Sequence, residues 1–229
     1  MFNTFRWAGW ILIQAVFQLA IHTALMPAAQ AQGTAGTAMT RMQALKALEQ
    51  AAPLVRRAGV LRLAEIGTMT DADQVAQRLH DADSDVREAA TASMWQIWSR
   101  SGDKAIDRDY EKAVLLMEGS RFGEALAAFS TIIKKRPEFA EAWNKRATIY
   151  YMVGEFDLSL KDCDEVMKRN PLHFGALSGY GQIYLQMGEL DRALAYFQRA
   201  LKVNPDMPGA VQAVQMLEQQ LRNKGRQST

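Results

Sequence analysis

The sequence predicts an all-α protein, an α-solenoid of helical hairpins set end to end. Three observations predict it. Prolines recur 34 residues apart, at Pro137, Pro171 and Pro205. A shorter period of 31 residues relates Val55-Arg56 to Val86-Arg87. Between turn residues, no run of four or more residues alternates like a half-buried strand. A single hairpin in such a chain cannot bury its apolar face alone, so stacking is what stabilises it.

The chain opens on an address. In its 229 residues, Arg6 is the only charged side chain before Arg41, and Trp7–Met26 carries no acidic or basic residue. Pro27 breaks the apolar run, and Ala29-Gln30-Ala31 supplies the small-x-small pattern that a signal peptidase admits. Residues 1–31 are therefore expected to be a signal peptide cleaved after Ala31, giving a periplasmic or secreted protein. The alternative is a retained membrane anchor, since the run is long enough to span a bilayer. Gln14, Gln18 and His22 weaken that span. Residues 32–40 (QGTAGTAMT from Gln32) lack apolar periodicity and read as a flexible leader.

Residues 41–101 follow the 31-residue frame. Ala58 and Ala89 correspond in it, as do Leu63 and Met94, Ile66 and Ile97, and Leu48 and Leu79. Helices are expected over Val55–Ile66 and Val86–Trp98, each preceded by a shorter one, near Arg41–Gln50 and Asp73–His80. The stretch LHDADSDVREAATASMWQI resembles the short HEAT-like repeat. That resemblance implies that Asp81 and Arg87 cross-link neighbouring repeats as structural ion pairs. A degenerate pair of the later repeats, or a plain hairpin cap, is the alternative. Trp95 and Trp98 are expected to seal the junction, ahead of a polar break at Ser101-Gly102-Asp103.

Residues 106–222 follow the 34-residue frame. Ala113, Ala147 and Gly181 correspond, and so do Ser120, Gly154 and Gly188, and Phe129, Cys163 and Phe197. Small residues let two helices approach, the glycines end each first helix, and the prolines end each second helix. The segments AEAWNKRATIYYMVGEFDLSLKDCDEVMKRNP and FGALSGYGQIYLQMGELDRALAYFQRALKVNP resemble the tetratricopeptide repeat (TPR) family, with Ile106–Pro137 as a first copy. Pro208–Arg222 resembles the capping helix that closes such arrays. Residues 223–229 read as a disordered tail. The chain is also similar to bacterial exported TPR proteins, a resemblance that implies no particular activity.

The resemblance implies a function. In a TPR array the first helix of each hairpin lines a concave face. That face would hold Asn144, Lys145, Thr148 and Tyr151 in the middle repeat, and Ser178, Gln182 and Gln186 in the last. It suits a protein or peptide partner held through backbone hydrogen bonds and apolar pockets. Tyr110, Glu111, Val114, Met117 and Glu118 are the first repeat's counterparts. The lysine–asparagine–arginine clamp with which some relatives hold a carboxylate is not reproduced. Arg146 stands where these repeats usually bury leucine, so it needs a structural ion pair, with Asp162 or Glu165.

Composition excludes several classes. Lys+Arg is 27 against Asp+Glu 25, a net charge of +2, which excludes a strongly basic nucleic-acid binder. One cysteine excludes a disulfide framework or a cysteine-based zinc cluster. Asp81, Asp83 and Asp85 alternate as in a calcium loop, but Val86 and Ala92 stand where glycine and the closing carboxylate belong. No phosphate loop, Gly-x-Ser-x-Gly or His-Glu-x-x-His occurs. The expectation is a non-enzymatic scaffold or adaptor without metal or cofactor. The alternative is a small-ligand binder or lyase-like enzyme using the junction near Trp95, Trp98 and Tyr110.

Overall fold

A computed structural model describes residues 38–227. The apolar segment and the cleavage site lie outside the described residues. Among the described residues, eleven α-helices follow one another. They are α1 (Arg41–Ala47), α2 (Pro53–Ile66), α3 (Ala72–Gln77), α4 (Ser84–Trp98), α5 (Lys104–Glu118) and α6 (Phe122–Lys135). Then come α7 (Ala140–Met152), α8 (Phe156–Arg169), α9 (Phe174–Gln186), α10 (Leu190–Val203) and α11 (Pro208–Gln227). No strand occurs among the described residues. The protein is all-α, a helical solenoid.

Local chemistry sets the helix ends. Thr40 and Gln43 form a reciprocal capping box at α1. Asp83 accepts from the backbone N–H groups of Asp85 and Val86 at the start of α4, and Asp103 does so from Ala105 and Ile106 at α5. Pro53 opens α2, where its missing N–H costs nothing. Gly154 and Gly188 take φ of 84° and 77° after α7 and α9. There the N–H of Glu155 returns to the Tyr150 carbonyl at 2.8 Å, and that of Glu189 to Tyr184 at 2.9 Å. Ser120 closes α5 in the same way, with φ 56° but with a Cβ. Ser120→Gly should therefore stabilise the protein by about 1 kcal/mol. Urea denaturation checks this, and an unchanged or lowered midpoint contradicts it.

Packing follows the 34-residue frame. Ala113, Ala125, Phe129 and Ile132 are buried between α5 and α6 together with Ile149 of α7. Ala147, Cys163, Tyr180, Ala193 and Phe197 form the next layer, which Ala210 and Leu217 of α11 close. Gly181 is required: a Cβ there would lie 2.8 Å from the Phe197 ring. Burial pushes the Cys163 thiol up to about 12, so it packs as a small apolar group and does not react.

The N-terminal helices share one core of Val60, Leu63, Val75, Leu79, Val86, Met94 and Ile97. α1 and α2 approach closely at Gly59, where a Cβ would meet the Ala44 carbonyl at 2.7 Å. The two 31-residue copies are unequal: Val86 is buried, whereas Val55 is exposed. The helix expected over Asp73–His80 is interrupted, with short 3₁₀ turns at Met69–Asp71 and Arg78–His80 on either side of α3. α1 also stops at Ala47, short of Gln50.

The C-terminal end departs from expectation as well. α11 continues to Gln227, so residues 223–227 are helical where a disordered tail was expected. Its last turns contain good helix formers. Arg222 faces Glu218 at 3.8 Å, and Lys224 and Arg226 complement the helix dipole.

Candidate functional site

The first helices of the three hairpins, α5, α7 and α9, carry the residues expected on the concave face, and α4 is laid against part of them. One stripe of α4, spaced by helical turns, makes the contact. Arg87 Nε reaches Asp206 at 2.6 Å. Thr91 Oγ1 accepts from Asn204 at 3.2 Å. Trp95 sits edge-on to His173 and Phe174, with ring centres 5.5 and 5.3 Å away. Trp98 is buried and stacks on His173 at 4.3 Å. A Cβ at Gly175 would meet the Trp95 ring at 2.3 Å, so this glycine makes room for the indole. Phe174 joins the N-terminal core, with Leu172, Val203 and Met207 packed against it.

Beneath the two tryptophans lies a buried polar cluster. The Glu141 carboxylate is 2% exposed and His173 is fully covered. His173 Nε2 lies 2.8 Å from Glu141. Its Nδ1 accepts the N–H of Ala176 at 3.0 Å, which caps α9 and leaves the proton on Nε2. Asn144 donates to both carboxylate oxygens at 3.2 and 3.3 Å. Lys145 Nζ stands 3.2 Å away, and the Tyr110 hydroxyl 3.4 Å. Burial opposes the charge on Glu141, yet Lys145, His173 and Asn144 prevail and hold its carboxyl down at about 2. Burial pushes the Tyr110 hydroxyl upward, and the Glu141 charge adds to it.

The expected groove residues thus divide. Asn144 and Ser178 are buried, and Lys145 is half-buried over the Trp95 ring of α4. Thr148, Tyr151 and Gln182 are half-covered, and Gln186 is exposed. Thr148 bonds back to the Asn144 carbonyl at 2.9 Å, so its hydroxyl already has an acceptor. Burial raises the Tyr151 hydroxyl, against a hydrogen bond with Gln186. The Gln182 side-chain oxygen is buried and has no hydrogen-bond partner.

The ion pairs are placed as follows. Arg146 forms a two-pronged bridge to Asp162 at 2.7 and 2.8 Å, and donates to Ser130 at 2.9 Å. Its guanidinium lies over Trp143 at 5.0 Å. Glu165 pairs instead with Lys168 and Arg169. Asp81 does cross-link neighbouring copies, but its side-chain partners are Arg56 at 2.6 Å and Arg78 at 3.4 Å. It pairs with Arg87 only through its backbone carbonyl, at 3.0 Å. Arg56 precedes Arg87 by the 31-residue period, so the bridge runs from the earlier copy, and the Arg87 side chain is left to reach Asp206. Among the described residues, no group of three side chains could hold a metal ion.

Arg146→Leu should destabilise by about 3–5 kcal/mol, because it leaves the buried Asp162 carboxylate unpaired. Adding Asp162→Leu should recover most of that loss. Chemical denaturation of the single and double variants checks both. A single variant as stable as the parent contradicts the pairing.

The geometry is that of stacked helical hairpins, and the comparisons show what they are similar to. Tetratricopeptide repeat models match residues 110–166 and 176–207. The matched hairpins are similar to tetratricopeptide repeats. A TPR repeat-containing protein of Rhizobium etli is 28% identical over 95 residues, covering 41% of this chain. The match spans 47% of that protein, about half its length.

Solved structures with similar coordinates include the first TPR of Spaghetti (RPAP3) bound to an HSP90 peptide, at 20% identity and TM-score 0.47. It covers 49% of this chain and 89% of that one. The Sgt2 TPR domain of Aspergillus fumigatus is 13% identical with TM-score 0.49, covering 54% and 83%. The MamA protein is 15% identical with TM-score 0.49, covering 69% and 88%.

Proposed function

We propose that this chain is a non-enzymatic interaction module that binds a segment of another protein on the concave face of its TPR array. The reading includes export: residues 1–31 act as a signal cleaved after Ala31, and the module works in the periplasm or outside the cell. The N-terminal helices act as HEAT-like repeats whose last helix is docked on the array. One observation carries the reading. The expected groove positions Tyr151 and Gln182 are only half-covered, and Gln186 is exposed. A partner's backbone can hydrogen-bond the amides at these positions.

In the junction, Trp98 and His173 are stacked on each other and Glu141 is enclosed by its own partners. That favours packing there over a small-ligand cleft. In-cell photo-cross-linking tests the reading, with a photoreactive residue at Tyr151 or Gln182 and a control at exposed Leu54. A recurrent protein adduct from the groove positions supports it. Adducts from Leu54 alone would move the binding surface to the N-terminal helices and overturn it.

A further inference from the structure

Resting on that reading, we infer that the ligand of the open half-groove is an apolar segment free of acidic residues and carrying a basic side chain at one end. The first argument concerns what is already engaged. The donors on the covered side, Asn144, Lys145 and His173, all converge on the Glu141 carboxylate within 3.3 Å. That carboxylate belongs to the chain itself and is buried under Trp98. The positive charge of Lys145 is thereby neutralised internally, and a ligand carboxylate finds no free cation among these groups.

The second argument concerns what remains. On α7 the open half offers Tyr151 and exposed Met152; on α9 it offers Gln182, Leu185 and Gln186. None of these is charged. Methionine and leucine adapt to an apolar side chain, and the half-covered Gln182 amide can bond a ligand's backbone. On α5, Glu111 and Glu118 flank Val114 on one helical face, and both are exposed. These two carboxylates make the α5 end of the face negative. Charge complementarity therefore places lysine or arginine at the α5 end and apolar residues across α7 and α9.

A random peptide library selected on the immobilised full chain tests the inference, alongside Gln182→Leu and Glu118→Lys variants of unchanged circular dichroism. The expected result is enrichment of leucine-, methionine- or phenylalanine-bearing peptides with one lysine or arginine and few acidic residues. Binding of a selected peptide should fall about tenfold with Glu118→Lys, and with Gln182→Leu as well. Enrichment of acidic peptides, or selection of the same peptides by both variants, would overturn it. An empty selection with groove cross-links to an intact protein overturns the ligand class and leaves the groove as the binding surface. An empty selection without groove cross-links overturns both.

Discussion

Glu141→Gln is expected to destabilise the protein by about 3 kcal/mol at neutral pH and to flatten its response to acid. The carboxylate holds together groups from three repeats: Tyr110 on α5, Asn144 and Lys145 on α7, and His173 ahead of α9. A neutral amide leaves the Lys145 charge half-buried without a counter-ion and gives His173 a weaker acceptor.

The acid response follows from the direction of the shift. The folded carboxyl is lowered from 4.5 to about 2. A lowered value contributes stability that is fully present above the unfolded value and lost as pH falls through the folded one. The parent should therefore lose about 3 kcal/mol between roughly pH 5 and pH 2 from this group. The variant should lack that component. Urea midpoints of both proteins across the acid range measure it. A variant of parental stability, or one with the parental acid slope, contradicts the account.

Trp98→Ala should cost about 3–5 kcal/mol and uncouple the N-terminal helices from the repeats. Trp98 is 2% exposed and touches Trp95, His173 and Phe174. Its removal leaves a cavity in the layer that joins the two arrays, and it uncovers the Glu141–His173 pair. The contacts left on the α4 stripe, Arg87–Asp206 and Thr91–Asn204, are partly solvated and individually weak. Calorimetry should show one unfolding transition in the parent and two in the variant, the N-terminal helices melting first. A single transition shifted by less than about 1 kcal/mol would mean that the arrays are held elsewhere.

Much of the fold was legible because stacked repeats reuse the same packing positions. The 34-residue frame through Ala113, Ala147 and Gly181 marks close helix approach, and the Gly181–Phe197 contact is its physical content. The frame through Ser120, Gly154 and Gly188 marks the left-handed helix ends. The docking of α4 was not legible. Trp95 and Trp98 were expected at a junction, but nothing local shows that they reach His173 and Phe174. Arg87 and Asp206 are likewise 119 residues apart, outside either period.

The pairing of His173 with Glu141 was not legible either. The frame could have supplied it: Asp107, Glu141 and Gly175 occupy one equivalent position. The structure shows why that position matters, since Glu141 collects the donors and Gly175 clears space for Trp95. The 31-residue frame was less informative. It pointed to Asp81 and Arg87, whereas the side-chain bridge runs from Arg56 to Asp81. The second copy's arginine serves the contact with the repeats instead.

The central claim is that a partner occupies the half of the concave face that α4 leaves open. The most direct test compares in-cell photo-cross-linking from Gln186, which is exposed, with that from Ser178, which is buried. The account predicts recurrent protein adducts from Gln186 and none from Ser178. Adducts from Ser178 at a comparable yield would show that the buried part of the face opens when the partner binds, and would contradict the account.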